Sequence, residues 1–596
     1  MNSNMSHTPG HDRNPSSASY AETFVARSPI RDSNGTAIGS YVEEKVAQEP
    51  RATPKYPPVI PPPSNDHSGR TLIVCFDGTG DQFDNDNSNV VKFLSLLKKD
   101  NRSKQLVYYQ SGIGTYTSPE IVTPIRAAVW KKIDAGFAWN LDKHIMSGYE
   151  FLMQSYISGD KICIFGGALA NSCLASSHSK PSQGSPVALI LQDAGMLHKV
   201  GLLPAGNFQQ VPFAYQMYTQ DDCVGWEQSN EFKKAYCIDV PIEFLGVWDT
   251  VDSVGIFSKR LPFTTANTIV KTFRHAISLD ERRAKFKANL WNRPTQKEMD
   301  DMKGVSGHLP QNTPKHAPTT DAKVDPKSFL KEKFRKRTEE DEEYKELNAL
   351  ERVHSEKREK PTDVEEVWFS GCHCDIGGGS VSNKTRFSLA RIPLRWMVRE
   401  CFKAKTGILF NSVLLYDIGM CPSTLYPNVL ERPTSLPIDD TCLIESPPAK
   451  PIPIRLRSSS VKLQGWKKKL YGMLGKEVKA PDPAPDHIPF LGEEEEELHD
   501  TLSPIYDQLK IAKAWWVLEY IPLPLRYQRG SDECVSHIRQ NKGAPRIILM
   551  EEGKEFKVHR TVKMRMEAQY EDEERRRKGK RYIPRPTFPV SPLYVS

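Results

Sequence analysis

The chain has 596 residues, 38% of them hydrophobic and 26% charged, with 45 prolines and a formal net charge of +7. That length could hold several domains, but the proline and charge content assigns much of it to tails and insertions around one large domain. The basic residues are scattered or interleaved with acids, so no stripe for nucleic acid is formed and no nucleic-acid partner is expected.

The polar start, Met1-Asn2-Ser3-Asn4-Met5-Ser6, lacks the apolar core of a secretory signal. Residues 1–68 are rich in Ser, Pro, Asn and Gly and end in Pro57-Pro58-Val59-Ile60-Pro61-Pro62-Pro63, which predicts a disordered tail with a stiff last stretch. Thr71–Phe76 is a continuous apolar run stopped by Asp77-Gly78-Thr79-Gly80, the pattern of a buried parallel strand meeting a loop at its carboxyl end. Val90–Leu97 has helical spacing behind the capping sequence Asn87-Ser88-Asn89. Gln105–Gln110 reads as a strand, Ile133–Ser158 as largely helical, and Lys161–Phe165, Ile242–Trp248 and Val364–Phe369 as further strands. Apolar strands alternating with helices predict an α/β fold with a doubly wound, largely parallel sheet, whose loops at the strand ends are where chemistry is placed.

The stretch Lys161-Ile162-Cys163-Ile164-Phe165-Gly166-Gly167-Ala168-Leu169-Ala170 has the look of a strand running into a nucleophile elbow. Such an elbow is Gly-x-Ser-x-Gly, because small neighbours let a strained turn expose the serine. With Gly166 as the first glycine, Ala168 takes the serine position, and no Gly-x-Ser-x-Gly occurs elsewhere. Taken alone, Gly166 and Gly167 equally end a buried strand. Residues 167–193 then lose any amphipathic period and hold Pro181 and Pro186, and a helical pattern resumes at Ala194-Gly195-Met196-Leu197. Ser172, Ser176, Ser177 and Ser185 lie in this segment without glycine spacing.

Four segments give a more specific signal: Cys75-Phe76-Asp77-Gly78-Thr79-Gly80, Phe244 to Gly255 with Trp248-Asp249-Thr250, His275 to Arg283, and Gly371-Cys372-His373-Cys374-Asp375-Ile376-Gly377-Gly378-Gly379. In order and in residues they resemble the uncharacterised α/β-hydrolase domain family that includes the catalytic domain of type VI secretion phospholipase effectors. Leu502 to Asp507 and Val558 to Val562 resemble its fungal members. The resemblance implies an α/β-hydrolase type of sheet and a lipase-like or phospholipase-like esterase with a Ser, Asp, His triad in chain order. It assigns Asp249 as the acid and His373 as the base, and it makes the loop at Gly78 and Thr79 a source of oxyanion amides. Locally, Asp249 reads as well as a turn cap, and His373 as a structural histidine. Arg282 and Arg283 read as partners of an ion pair within the fold rather than a substrate clamp. The family continues from its serine into a short helix, whereas this chain departs after Gly166 and rejoins at Ala194, the signature of a mis-joined coding segment or of a true loss of catalysis. The resulting expectation is a hydrolase-fold protein, inactive as written, on a lipid or ester substrate; the alternative is a pseudoenzyme that binds or scaffolds partners.

The domain is expected over 69–575, interrupted by insertions at about 167–193, 297–362 and 432–499, with a tail at 576–596. Phe329–Lys360 alternates acidic and basic blocks, as a solvated helix would. The third insertion, rich in proline and ending in Glu493-Glu494-Glu495-Glu496-Glu497, is expected to be flexible. Within it, Val461–Lys476 mixes basic residues with Trp466, Leu470, Tyr471 and Met473, which reads either as a peripheral contact with an anionic membrane or as a plain basic linker. The longest apolar stretch, Ala514–Leu525, is broken by Glu519 and prolines, so a cytoplasmic location follows. Eleven cysteines without regular spacing predict free thiols. Cys372-His373-Cys374, read as a strand, would point the histidine away from both cysteines, so no metal is expected, and no cofactor motif is present.

Overall fold

The computed structural model describes residues 56–63, 69–78, 83, 85–112, 144–167, 186–220, 222–251, 269–291, 361–447, 490–528, 534–548, 555–570 and 580–596. Thr79, Ala168, Phe329–Lys360 and Val461–Lys476 lie outside them. Eight strands form the central sheet: β1 Thr71–Phe76, β2 Gln105–Gln110, β3 Lys161–Gly167, β4 Ile242–Trp248, β5 Val270–Ser278, β6 Asp363–Phe369, β7 Lys557–His559 and β8 Leu593–Val595. Across the sheet they run in the order β8-β7-β6-β5-β4-β3-β1-β2, and every pairing is parallel.

Parallel pairing requires crossovers, and these cover both faces with helices. The alternation along β1 divides the core accordingly. Leu72, Val74 and Phe76 pack with Ile145, Tyr149 and Leu152 of the helix 144–155 and with Met196 and Leu197. Ile73 and Cys75 pack on the opposite face with Val90 and Phe93 of the helix Asn89–Leu96 and with Trp396 and Met397 of the helix Arg391–Lys403. Both faces are covered by packed side chains, which is why β1, β3 and β4 read as continuous apolar runs. The fold is therefore a doubly wound α/β sheet. Winding reverses at β1, whose neighbours are β2 on one side and β3 on the other, and the crevice at such a switch point is where ligands bind in open α/β sheets.

Most elements lie where the sequence places them, down to the cap Ser88, whose hydroxyl accepts from the Val91 amide at 3.2 Å. Four differences have physical causes. The expected disordered tail is in part structured: Val59–Ile60 pairs antiparallel with Phe410–Asn411, and Ile60 is fully buried. The glutamate run is not flexible but opens the helix Glu493–Leu502, because Arg391, Arg395, Arg399 and Arg432 meet its acids in ion pairs. The domain does not stop near 575, since Leu593–Val595 is the outer strand of the sheet beside β7. Cys372-His373-Cys374 is no strand; His373–Gly377 is a short helix with Cys372 as its cap. Among the described residues no helix is long and apolar enough to cross a membrane, and the described cysteines are free thiols.

The helix after β3 spans Pro186–Val200 and so begins ahead of Ala194, with proline tolerated in its first turn. It carries Asp193 into the core, 1% exposed, with neither carboxylate oxygen hydrogen-bonded among the described residues. Asp193 lies against Gly148 and Phe76, where a Cβ on Gly148 would stand 2.5 Å from its Oδ2. Burial pushes its carboxyl well above the usual range. A raised folded-state value means that the acid is neutral in both states at low pH, and that stability is lost as pH rises through the unfolded value and only the unfolded chain ionises. Asp193→Leu is therefore expected to add about 1–3 kcal/mol at neutral pH and to flatten the decline in stability that urea melts of the unmodified chain should show above the unfolded carboxyl value. Equal slopes for the two proteins would show that Asp193 has a partner in solution.

Candidate active site

Because the strands are parallel and in register, their carboxyl ends meet along one edge. Phe76 pairs with Gly166, Gly167 with Trp248, Trp248 with Ala276, and Ser278 with Phe369. The residues that follow these strands are thereby gathered: Asp77 and Gly78 after β1, Asp249 after β4, the loop Leu279–Arg283 after β5, and Ser370 to His373 after β6. β3 ends one strand from Asp249, so the chain leaves the sheet beside the acid at the position before Ala168.

Asp249 and His373, 124 residues apart in sequence, are joined by a 2.5 Å hydrogen bond between Asp249 Oδ2 and His373 Nδ1, and both are fully buried. An ionised carboxylate only accepts, so Nδ1 carries the proton and Nε2 presents its lone pair. Nε2 is buried and has no hydrogen-bond partner among the described residues. The imidazole packs edge-on against Phe286, ring centroids 4.9 Å apart. Its backbone amide donates to Glu281 Oε2 at 3.3 Å, and Glu281 is in turn gripped twice by Arg283, through Nε at 3.0 Å and Nη2 at 2.8 Å. Burial alone would raise the Glu281 carboxyl, but the adjoining Arg283 guanidinium outweighs it and brings it to about 2. Arg283 also lies 3.5 Å over the Phe286 ring. Arg282 pairs with Asp507 at 2.8 Å. Both arginines are thus committed inside the fold.

Asp249 sits in the left-handed region, φ 48°, a conformation that costs a residue with a Cβ about 1 kcal/mol and concentrates at functional sites. Its amide holds Ala276 O at 2.7 Å, which turns the chain sharply off β4. The carboxylate is held on all sides. Oδ1 accepts from the Ser278 amide at 2.7 Å and from Arg546 Nη1 at 2.5 Å, and Oδ2 accepts from Ser278 Oγ at 3.2 Å and from Arg546 Nη2 at 3.0 Å. Burial by itself would raise this carboxyl; the Arg546 guanidinium and the His373 hydrogen bond reverse that and hold it far below the usual range. Neither Ser278 nor Arg546 stands out in the sequence. Ser278 ends a strand whose interior Lys271, Arg274 and His275 hide its character, and Arg546 is a single basic residue in an irregular segment.

The loop after β1 begins with a local hydrogen bond. The Gly78 amide donates to Asp77 Oδ1 at 2.8 Å, and Asp77 Oδ2 is held by Tyr109 Oη at 2.8 Å. The Gly78 amide is thereby engaged by the side chain of its own neighbour. The glycine run after His373 serves packing: Gly378, φ 88°, lies against the start of the helix Asn89–Leu96, where a Cβ would stand 2.6 Å from the Asn89 amide nitrogen.

A buried, charge-neutralised carboxylate contributes stability above the carboxyl value of the unfolded chain and loses it as pH falls through the depressed folded value. Asp249→Asn leaves Arg546 buried with its countercharge removed, so a loss of about 3–5 kcal/mol is expected in denaturant melts at neutral pH. Asp249→Asn combined with Arg546→Met is expected to recover part of it. A double variant as unstable as the sum of the singles would show that the two side chains do not interact.

The family model described as "T6SS, Phospholipase effector Tle1-like, catalytic domain" matches residues 70–400. The protein YEL023C of Saccharomyces cerevisiae, described as uncharacterised, is 31% identical over an alignment of 435 residues that covers 60% of this chain and 60% of its own, so this chain spans about three fifths of that relative's length. Two solved structures are also similar in part. An uncharacterised protein from Pseudomonas aeruginosa shares 15% identity over 57% of this chain and 46% of its own, with a TM-score of 0.27. The Tle1 effector bound to the VgrG spike of the type 6 secretion system shares 17% over 38% and 48%, with a TM-score of 0.21. With more than half of its length matched by the family model, and with its loops assembled on one sheet edge, the chain belongs to the family of Tle1-like phospholipase effector catalytic domains, a lipase-like and phospholipase-like family.

Proposed function

We propose that the lineage of this chain cleaves carboxylic esters of lipids by acyl transfer through a serine, His373 and Asp249, and that this chain keeps the base and the acid while Ala168 replaces the nucleophile. The observation that carries the reading is the buried Asp249–His373 pair, whose Nε2 has no partner among the described residues, on the same sheet edge at which β3 ends. In an intact homologue Nε2 takes the serine proton and later returns it to the leaving alcohol, while Asp249 fixes the tautomer and stabilises the imidazolium. Oxyanion donors come from backbone amides. Since Gly78 is engaged by Asp77, the Thr79 amide and the amide after the nucleophile position, that of Leu169, remain for this role. Loss of a triad nucleophile costs on the order of 10⁶ in turnover, about 8 kcal/mol of transition-state stabilisation, so the chain as written is silent or nearly so.

A second reading, a pseudoenzyme that binds or scaffolds partners, is favoured by the absence of any Gly-x-Ser-x-Gly together with the long charged insertions. The transcript across the codons for Phe165 to Ala194 separates the two: a shorter spliced form that restores the serine motif supports the enzyme, and a single form encoding Ala168 supports the pseudoenzyme.

Two measurements test the first reading. The unmodified chain is expected to resist a fluorophosphonate probe, which needs an activated hydroxyl; stoichiometric labelling at Ser172 or Ser185 would show that the segment supplies its own nucleophile. Replacing residues 167–193 with a serine elbow and a short helix is expected to create esterase activity on a short acyl ester, and a further His373→Ala to abolish it. A folded, repaired protein without serine-dependent turnover would refute the assignment of the triad.

A further inference from the structure

We propose that Arg546, carried by a C-terminal arm beyond the region matched to the family, is a positioning residue that orients and neutralises Asp249 so that its Oδ2 faces His373. The proposal rests on the reading of Asp249 and His373 as acid and base. Its ground is the completeness of the arginine's engagement. The guanidinium is 2% exposed and meets the carboxylate as a fork, Nη1 on Oδ1 at 2.5 Å and Nη2 on Oδ2 at 3.0 Å. Its remaining donors reach backbone carbonyls: Nη1 to Ser278 O at 3.0 Å, and Nε and Nη2 to Phe286 O at 2.9 and 2.6 Å. All five N–H groups of a guanidinium are thus placed, and a lysine, with three donors and no planar fork, does not reproduce them.

This geometry does two things for the pair. It fixes the plane of the carboxylate, since the fork engages both oxygens and allows only one rotation about the Cβ–Cγ bond. It also supplies a countercharge while the imidazole is neutral, a state in which a buried carboxylate would otherwise stand alone. The arm is anchored to the loop that it reaches over. Glu519 accepts from the amides of Ala284 at 2.6 Å and Gly543 at 2.9 Å, and Asn541 Nδ2 donates to Arg282 O at 2.7 Å. A segment far from the strands in sequence thereby completes the environment of the acid, and docking of the arm is coupled to the alignment of Asp249 with His373.

The test uses the full chain and needs no turnover. A proton shared between an imidazole Nδ1 and a buried carboxylate gives a proton NMR resonance well downfield of the backbone amides. The unmodified chain is expected to show one such resonance, absent in His373→Gln. In Arg546→Met, folded by circular dichroism and cooperative in its melt, the resonance is expected to be lost or exchange-broadened as the carboxylate swings free. An unchanged resonance in folded Arg546→Met would overturn the proposal and leave Arg546 as packing alone. Should Arg546→Met fail to fold, Arg546→Lys keeps the charge without the fork; a displaced or broadened resonance supports positioning, and an unchanged one overturns it. Absence of the resonance from the unmodified chain would refute the Asp249–His373 pairing itself, and the proposal with it.

Discussion

Parallel pairing that keeps the carboxyl ends of the strands aligned is the constraint from which the rest follows. Because β1, β3, β4, β5 and β6 all point the same way and stay aligned to their last residues, five separate loops emerge along a single edge. No loop has to be long to reach another. Asp249 and His373 need only the first few residues after their strands to meet, although 124 positions separate them in sequence. The same pairing demands apolar side chains on both faces, and the helices that supply them are the crossovers that parallel strands require. Architecture and site are thus two results of one hydrogen-bonding pattern.

At that edge the dominant difficulty is charge. Asp249, Glu281 and Asp280 are buried within a few residues of one another in the fold, and each is made tolerable in a different way. Asp249 has Arg546 and an imidazole, and Glu281 has a doubly bonded Arg283. Asp280 accepts from the Gly371 amide and Tyr582 Oη, both at 2.7 Å, yet burial still raises its carboxyl. Desolvated acids without partners would drive the loops into solvent, so these contacts hold the edge together as much as the apolar core beneath it does. Asp193 is the counterexample, an acid of the segment that follows β3 whose oxygens meet no donor among the described residues. Its neighbours on the same helix, Ala194, Met196 and Leu197, fit the core without penalty, and the mismatch falls where the sequence pattern itself breaks.

Much of this was legible in the chain because burial on both faces leaves a plain mark. Thr71–Phe76, Gln105–Gln110 and Ile242–Trp248 carry unbroken or nearly unbroken strand patterns, and the residues after them are the polar ones that chemistry uses. Val270–Ser278 was not legible as a strand, since Lys271, Arg274 and His275 interrupt its apolar pattern. Their partners, Glu243, Glu400 and Glu366, come from other parts of the chain. The glutamate run misled for the same reason: a string of acids reads as solvated unless the arginines that receive it are known, and these sit about 100 residues earlier on the helix Arg391–Lys403. Arg546 lay beyond reach altogether, because a single arginine announces nothing until its distant carboxylate is in place.

The helix Glu493–Leu502 has a consequence for how the chain tolerates change. Isolated, its acids would repel one another at every turn, so it forms only as it docks. Once docked, it returns the chain to where it left: the Glu445 amide donates to Leu502 O at 2.9 Å, and Leu443–Ile444 pairs with Gln569–Tyr570. Both ends of whatever joins 447 to 490 are therefore fastened to the same body. Closing a loop between fixed ends becomes costlier only with the logarithm of its length, about 0.6 kcal/mol for each doubling. Such a doorway admits inserted sequence of almost any size without disturbing the sheet, and a lineage can lengthen, shorten or exchange what passes through it while the edge that carries Asp249 and His373 stays as it is.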